Sequence, residues 1–218
     1  QHTDCSINGW ISILRENLMI PSTATDRWGV IPSVFNQSDL IQYRDTFRRC
    51  KPEATDEYIG EMHGINPNSV AFPWFMAKMW PRLVEHFENK SIQLIHSMYA
   101  SFTKPFMIHD DAYKDIPNGD VGRNYVSMLI PVSVENKAIQ ADVSTIIMRE
   151  QANPHAEHDH KVYFSHCDIN QVRKYTIDGV CTWREGDIIW WDSRKPHSSS
   201  NFNSRYRTKE CFVVHTYV

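Results

Sequence analysis

The spacing of apolar residues changes character near residue 91, and the chain reads differently on either side of that point. Before it the period is helical. Ile11, Leu14 and Leu18 share one face of an opening helix, and Leu40, Ile41, Arg44 and Phe47 repeat the spacing after Ser38 and Asp39, which serve as an N-terminal cap. Pro21, Gly29 and Pro32 mark loops between the two. Phe72, Phe75, Met76, Met79, Trp80, Leu83, Val84 and Phe87 follow one helix face, a stripe of the kind that packs on a sheet rather than holding a cofactor. Pro81 falls inside it and predicts a kink or two abutting helices.

After residue 91 the chain breaks into short runs rich in β-branched and aromatic residues. The predicted strands are Gln93–Phe102, Pro105–Asp111, Asn124–Val134, Val143–Arg149, Lys161–Ile169, Val172–Ile177, Val180–Trp183, Asp187–Asp192 and Glu210–Tyr217. Asp178-Gly179 predicts a hairpin turn and Asn118-Gly119 a second turn. So many strands without helical interludes predict a mainly β protein with N-terminal helices, an antiparallel sandwich or jelly roll covered by helices on one face. A chain of 218 residues suits one core, and no linker or repeat divides it. We expect a single domain over 1–218, with 1–90 as helical cover and loops and 91–218 as the β core.

Composition narrows the partners. The 41% hydrophobic content is ordinary, no apolar run approaches the roughly 20 residues of a membrane helix, and no signal-peptide pattern opens the chain, so the expectation is a soluble cytoplasmic protein without a membrane partner. With 23 basic against 26 acidic residues there is no electrostatic reason to expect nucleic acid. Arg44, Arg48, Arg49 and Lys51 read as a solvated face. Cys5, Cys50, Cys167, Cys181 and Cys211 are scattered and form no Cys-x-x-Cys pair, which fits free thiols in a reducing compartment. Nothing in the pattern specifies an oligomeric state.

The chemistry concentrates in two places. His109-Asp110-Asp111 ends a strand-like run, and because strand side chains alternate, His109 and Asp111 share a face. His197 follows the run Gly186–Pro196 far downstream and is the candidate third ligand. Two imidazoles and one carboxylate on one face of an octahedron leave positions open for substrate and oxygen, an arrangement suited to Fe(II). Arg207 enters the last strand, where a guanidinium could pair with a carboxylate of a co-substrate; Arg205 has the same strand parity and is the second choice.

The order His109-x-Asp111, a Gly-Asp strand at Gly186-Asp187, His197 and then Arg207 resembles the Fe(II)- and 2-oxoglutarate-dependent oxygenases. The run from Gly186 to Asn201 looks most like phytanoyl-CoA hydroxylase-like and small microbial or viral members. The prolyl hydroxylase branch is similar but usually has Lys where Arg207 stands, and its Gly-Gly-Glu-Thr segment is replaced here by Ala141-Asp142-Val143-Ser144-Thr145. The resemblance covers 91–218. It implies a cupin-like double-stranded β-helix in which His109, Asp111 and His197 hold Fe(II) and Arg207 binds the far carboxylate of 2-oxoglutarate, with Tyr99, Tyr125 or Ser199 as further contacts. It also implies oxidative decarboxylation to succinate coupled by O2 to hydroxylation of a small-molecule C–H bond. Asp111 in place of Gly or Ala argues against the similar halogenases.

Other readings compete. His155, His158 and His160 sit in a charged, Pro-containing segment read as a solvated loop or a lid, and they form the rival metal site. His96, His166 and His215 lie inside β-runs and read as half-buried histidines. Trp190 and Trp191 alternate, one facing the core and the other the metal or solvent, and Asp192 either orients a ligand or starts a turn. A cupin-type metalloenzyme without 2-oxoglutarate would keep the triad and leave Arg207 structural. A non-catalytic jelly roll binding a carbohydrate or a protein would need no metal.

Overall fold

The computed structural model describes residues 19–23, 27–49, 54–56, 60–102, 106, 108–111, 125–134, 143–149, 175–199 and 209–217. The elements run β1 (Trp28–Ile31), α1 (Gln37–Arg48), β2 (Ala54–Asp56), β3 (Gly60–Gly64), α2 (Phe72–Lys78), α3 (Trp80–Glu85), β4 (Gln93–Phe102), β5 (Tyr125–Val134), β6 (Ser144–Met148), β7 (Ile177–Thr182), β8 (Ile188–Asp192), β9 (His197–Ser199) and β10 (Lys209–Tyr217). Seven strands pair antiparallel in the order β1-β8-β5-β10-β4-β3-β2, and three more in the order β7-β6-β9. The result is a mostly β, jelly-roll-like pair of sheets.

Alternation sorts the side chains of the large sheet between two cores. Tyr99, Met128, Ile130, Phe212 and Val214 share one buried cluster with Leu40, Tyr43 and Phe47 of α1, Phe75 of α2 and Leu83 of α3. Ala100, Leu129, Trp191 and Cys211 point the other way, into a second cluster with Ile147, Cys181 and Trp183. Aromatic rings fix the first interface: Phe47 stacks on Tyr99 at 4.9 Å and meets Phe212 edge-on at 5.2 Å. Cys181 and Cys211 are free, buried thiols.

Several sequence expectations are corrected. The region before residue 91 is not only helix and loop: β1 pairs with β8 and β3 with β4, so it supplies strands to the large sheet. The helix α1 is capped by Asn36, which closes a capping box with Asp39; Ser38 lies inside the helix, and Ile41 is 42% exposed. The Phe72–Phe87 stripe, by contrast, is as expected from Pro81 two abutting helices, which meet at Met79, each with Pro in its first turn, where a missing N–H costs nothing. Asp178-Gly179 is not a hairpin turn but lies within β7. Its residues serve tertiary contacts: the Asp178 carboxylate accepts from Trp28 Nε1 at 3.0 Å and pairs with Lys195 Nζ at 3.2 Å. A Cβ on Gly179 would stand 2.3 Å from the Trp28 ring, so glycine is required by close approach. The opening helix at Ile11–Leu18, the strand at Lys161–Ile169, the Asn118-Gly119 turn and Cys5, Cys50 and Cys167 lie outside the described residues. No helix among the described residues is long and apolar enough to cross a membrane.

Candidate metal centre

His109 and His197 face each other as an antiparallel bridge pair: His109 N–H donates to the His197 carbonyl at 3.0 Å and His197 N–H to the His109 carbonyl at 2.7 Å. Two residues that exchange both backbone bonds project side chains from opposed positions on one face, and the imidazole centroids here are 4.2 Å apart. Flanking bonds secure the pairing, since Ser198 Oγ donates to the Phe106 carbonyl at 2.8 Å and Phe106 N–H donates to Ser199 Oγ. Asp111, held by its N–H to the Ser193 carbonyl at 2.9 Å, brings its carboxylate to both rings. Oδ1 lies 3.6 Å from His109 Nε2 and Oδ2 lies 3.5 Å from His197 Nε2. One donor atom from each of the three lies within 4.8 Å of the others, so the residues could hold one metal ion.

The surrounding groups prepare these donors. His197 Nδ1 lies 3.1 Å from the Lys195 carbonyl, which can only accept, so Nδ1 carries the proton and Nε2 keeps its lone pair. Burial pushes the His197 imidazole down despite Asp111 nearby, which favours the neutral, ligating ring. Burial raises the Asp111 carboxyl, but the imidazoles of His197, His215 and His109 outweigh it and hold the group well below the usual carboxylate range. Trp191 Nε1–H donates to Asp111 Oδ2 at 3.3 Å, and its ring sits 4.5 Å from that of His197.

His215 is the residue sequence reasoning missed. Read as an ordinary half-buried histidine, it is fully buried, with Nδ1 3.8 Å from Asp111 Oδ2 and 3.0 Å from Ser127 Oγ, which in turn lies 2.8 Å from Ser193 Oγ. Its only signal in the sequence is parity, as it shares a strand face with residues 209, 211 and 213. His96 stacks on it with ring centroids 6.2 Å apart.

A cavity of about 410 Å³ opens beside the triad between the two sheets. Ser199 lines it, and so does Lys209, which the sequence reading passed over. The Lys209 ammonium is buried 4.7 Å from the Trp183 ring centroid and 5.5 Å from that of Phe102, and burial pushes it down to about 7. Tyr99 is a correction: it points to the helix side of the sheet, stacked on Phe47, because its strand parity is opposite to that of the cavity-lining Met98 and Phe102. Tyr125 is likewise not a wall of the cavity, lying at the end of β5 beside Tyr217. Trp190 belongs to the helix-side core and Trp191 to the metal side. Asp192 makes a turn, accepting from Arg194 N–H at 3.0 Å and from its guanidinium at 2.7 Å. Arg205, Arg207, His166 and the His155–His160 segment lie outside the described residues.

No family model matches the chain, and no curated protein sequence matches it. Solved structures do. EvdO2 from Micromonospora carbonacea var. aurantiaca, complexed with 2-oxoglutarate, aligns with a TM-score of 0.59 and 14% identity over 90% of this chain and 86% of that one. The epimerase SnoN, in complex with Fe3+, alpha ketoglutarate and nogalamycin RO, gives 0.60 and 12% over 87% and 78%. HygX from Streptomyces hygroscopicus, with nickel, 2-oxoglutarate and hygromycin B bound, gives 0.54 and 14% over 89% and 83%. At these identities of 12–14% the likeness is one of fold.

Proposed function

We propose that this chain is an Fe(II)- and 2-oxoglutarate-dependent oxygenase of the double-stranded β-helix type, acting on a small molecule. The observation that carries the reading is the convergence of His109 Nε2, His197 Nε2 and the Asp111 carboxylate on one point beside a cavity. Two neutral imidazoles and one carboxylate are the donor set of non-haem Fe(II) sites that keep open positions, so the residues present fit the ion. The fold neighbours with iron or nickel and 2-oxoglutarate bound support the same reading.

Iron with 2-oxoglutarate and oxygen would supply oxidative decarboxylation to succinate and carbon dioxide, coupled to hydroxylation of a C–H bond. The chain's own part is placement and exclusion of water. Lys209, buried in the same cavity, takes the role first assigned to Arg207: a cation that pairs with the far carboxylate of the co-substrate. Ser199 Oγ stands on the same wall and offers a further polar contact.

The test is anaerobic. Fe(II) and then 2-oxoglutarate are added to metal-free protein, and the weak visible charge-transfer band of a chelated keto acid is expected, with its loss in His197→Ala. Iron uptake without the band would return the chain to metalloenzymes that do not use 2-oxoglutarate. No iron uptake would refute the metal site.

A further inference from the structure

The register of the large sheet gives the cavity two directions away from the metal. The triad lies over β5, β8 and β10, where Trp191, Ser127, His215 and His96 form one cross-strand row. Along β10 the wall passes from His215 through Val213 to Lys209, the direction assigned above to the co-substrate. Across the strands it passes from Val213 to its partner Met98 on β4, and on to Met62 of β3, which pairs with Ala100. Adjacent strands are about 4.8 Å apart, so Met62 lies roughly two strand spacings to the side of β10. Both methionines line the cavity and neither is fully buried.

The two directions differ in charge. Among the described lining residues the cation other than imidazole is Lys209, at the far end of β10, and the carboxylates Asp110 and Asp111 stand beside the metal. The β4–β3 direction presents Met98 and Met62, with Ala100 buried between the strands' cavity-facing positions. A cavity of about 410 Å³ falls in the range of pockets for drug-sized ligands, roughly 300–1,000 Å³, and a five-carbon dicarboxylate fills only part of it. The β4–β3 side of the space that remains presents two thioethers, whose flexible, polarisable side chains adapt to apolar surface and offer no strong hydrogen bond, beside the apolar Phe102, Phe106 and Leu129 of the same lining.

We infer that the substrate of this site is an uncharged molecule with a broad apolar face, and that Met98 and Met62 are the residues that receive that face. The inference rests on the oxygenase reading for the identity of the second ligand but not for the apolar wall. Among the described residues that line the cavity, β3 and β4 contribute no carboxylate to a polycationic substrate, since Glu61 of β3 is exposed at the strand parity opposite to Met62, and a second anion would have to share Lys209 among them.

The experiment uses 1-aminoanthracene, a neutral fluorophore that brightens in apolar sites, titrated into the whole protein with and without 2-oxoglutarate. Saturable binding is expected at one site per chain, undiminished by saturating 2-oxoglutarate and weakened roughly tenfold or more when thioether is exchanged for amide in Met62→Gln/Met98→Gln. The single variants, each expected to weaken binding less, guard against a misfolded double variant, and circular dichroism melts check all three. Retention of the keto-acid charge-transfer band in the variants would separate the two arms of the cavity. Absence of probe binding, one-for-one displacement by 2-oxoglutarate, or equal affinity in wild type and well-folded variants would each overturn the inference. So would displacement of the probe by hygromycin B. If the band never forms in wild type but the probe binds as described, the apolar wall stands and the oxygenase reading falls.

Discussion

Trp191 aims its indole N–H at the carboxylate of Asp111, with Nε1 3.3 Å from Oδ2, from β8, which β5 separates from the strand that carries His215. A carboxylate ligand needs one oxygen turned to the metal and the other restrained, and the indole supplies that restraint from a fully buried position. Outer-shell partners of this kind typically matter about 10- to 100-fold in metal affinity. Trp191→Phe keeps the ring against His197 and removes only the donor. Cobalt(II) titration should show affinity weakened about tenfold with the melting temperature little changed; unchanged affinity would mean that the indole merely packs.

His215 approaches the same oxygen from the other side, and this sharing makes a second prediction. Its Nδ1 is 3.8 Å from Asp111 Oδ2 and 3.0 Å from Ser127 Oγ. Two groups that restrain one atom are not independent, so their effects should not add. His215→Leu is expected to weaken cobalt(II) binding by a similar order, roughly tenfold. The double variant Trp191→Phe/His215→Leu should then differ measurably from the product of the single effects. Strict additivity would place His215 outside the restraint on Asp111.

What was legible in the chain follows from the range of the signal. β4 was predicted with the bounds Gln93–Phe102 that it has, and β10 within one residue, because alternation is local and one turn or loop closes each run. The spacing of His109 and Asp111 is equally local, whereas the placement of His197 opposite His109 is a backbone pairing that no spacing encodes. His215 and Lys209 were passed over for the same reason: they lie on a strand face whose neighbours come from distant segments. Asp178-Gly179 misled because the dipeptide favours a turn in isolation, while here Trp28 packs on the glycine and hydrogen-bonds the aspartate. β1 was hidden because it is short and finds its hydrogen-bond partner far along the chain, and β3 because it is short and, beyond a three-residue pairing with β2, joins the sheet through the distant β4.

The turn that delivers β8 to the metal depends on Gly186. Its φ of +88° is a conformation that side chains rarely adopt, and a Cβ there would come within 2.1 Å of the Phe35 carbonyl oxygen. The same residue accepts from the N–H groups of Val34 and Phe35 at 2.9 and 3.0 Å and donates to the Pro131 carbonyl at 3.0 Å. Gly186→Ala should therefore cost about 1–3 kcal/mol from backbone strain, more if Phe35 must move. Chemical denaturation measures it, and a loss under roughly 0.5 kcal/mol, the range of neutral surface changes, would show that the turn relaxes without strain.

Lys209 contributes its own pH dependence to folding. Burial pushes its ammonium down to about 7, with Cys211 offsetting this slightly, while the unfolded chain keeps the ordinary lysine value of 10.5. Between those values the unfolded state binds a proton that the folded state lacks, so this group makes stability rise with pH from about 7 to 10.5 and imposes its full cost below 7. Lys209→Met should accordingly gain most over wild type at pH 6 and least near pH 10, where the folded and unfolded charges converge. An anion seated beside Lys209 reverses the local balance, because it favours the charged amine. Under the oxygenase reading, 2-oxoglutarate binding above pH 7 then takes up a proton at Lys209, and affinity falls with rising pH by at most about tenfold per unit. Calorimetry of 2-oxoglutarate binding at pH 8, in two buffers of different ionisation enthalpy, counts the protons taken up. Uptake in wild type that vanishes in Lys209→Met, together with weakened binding, would place the co-substrate carboxylate on this amine. Equal proton counts in the two proteins would place it elsewhere.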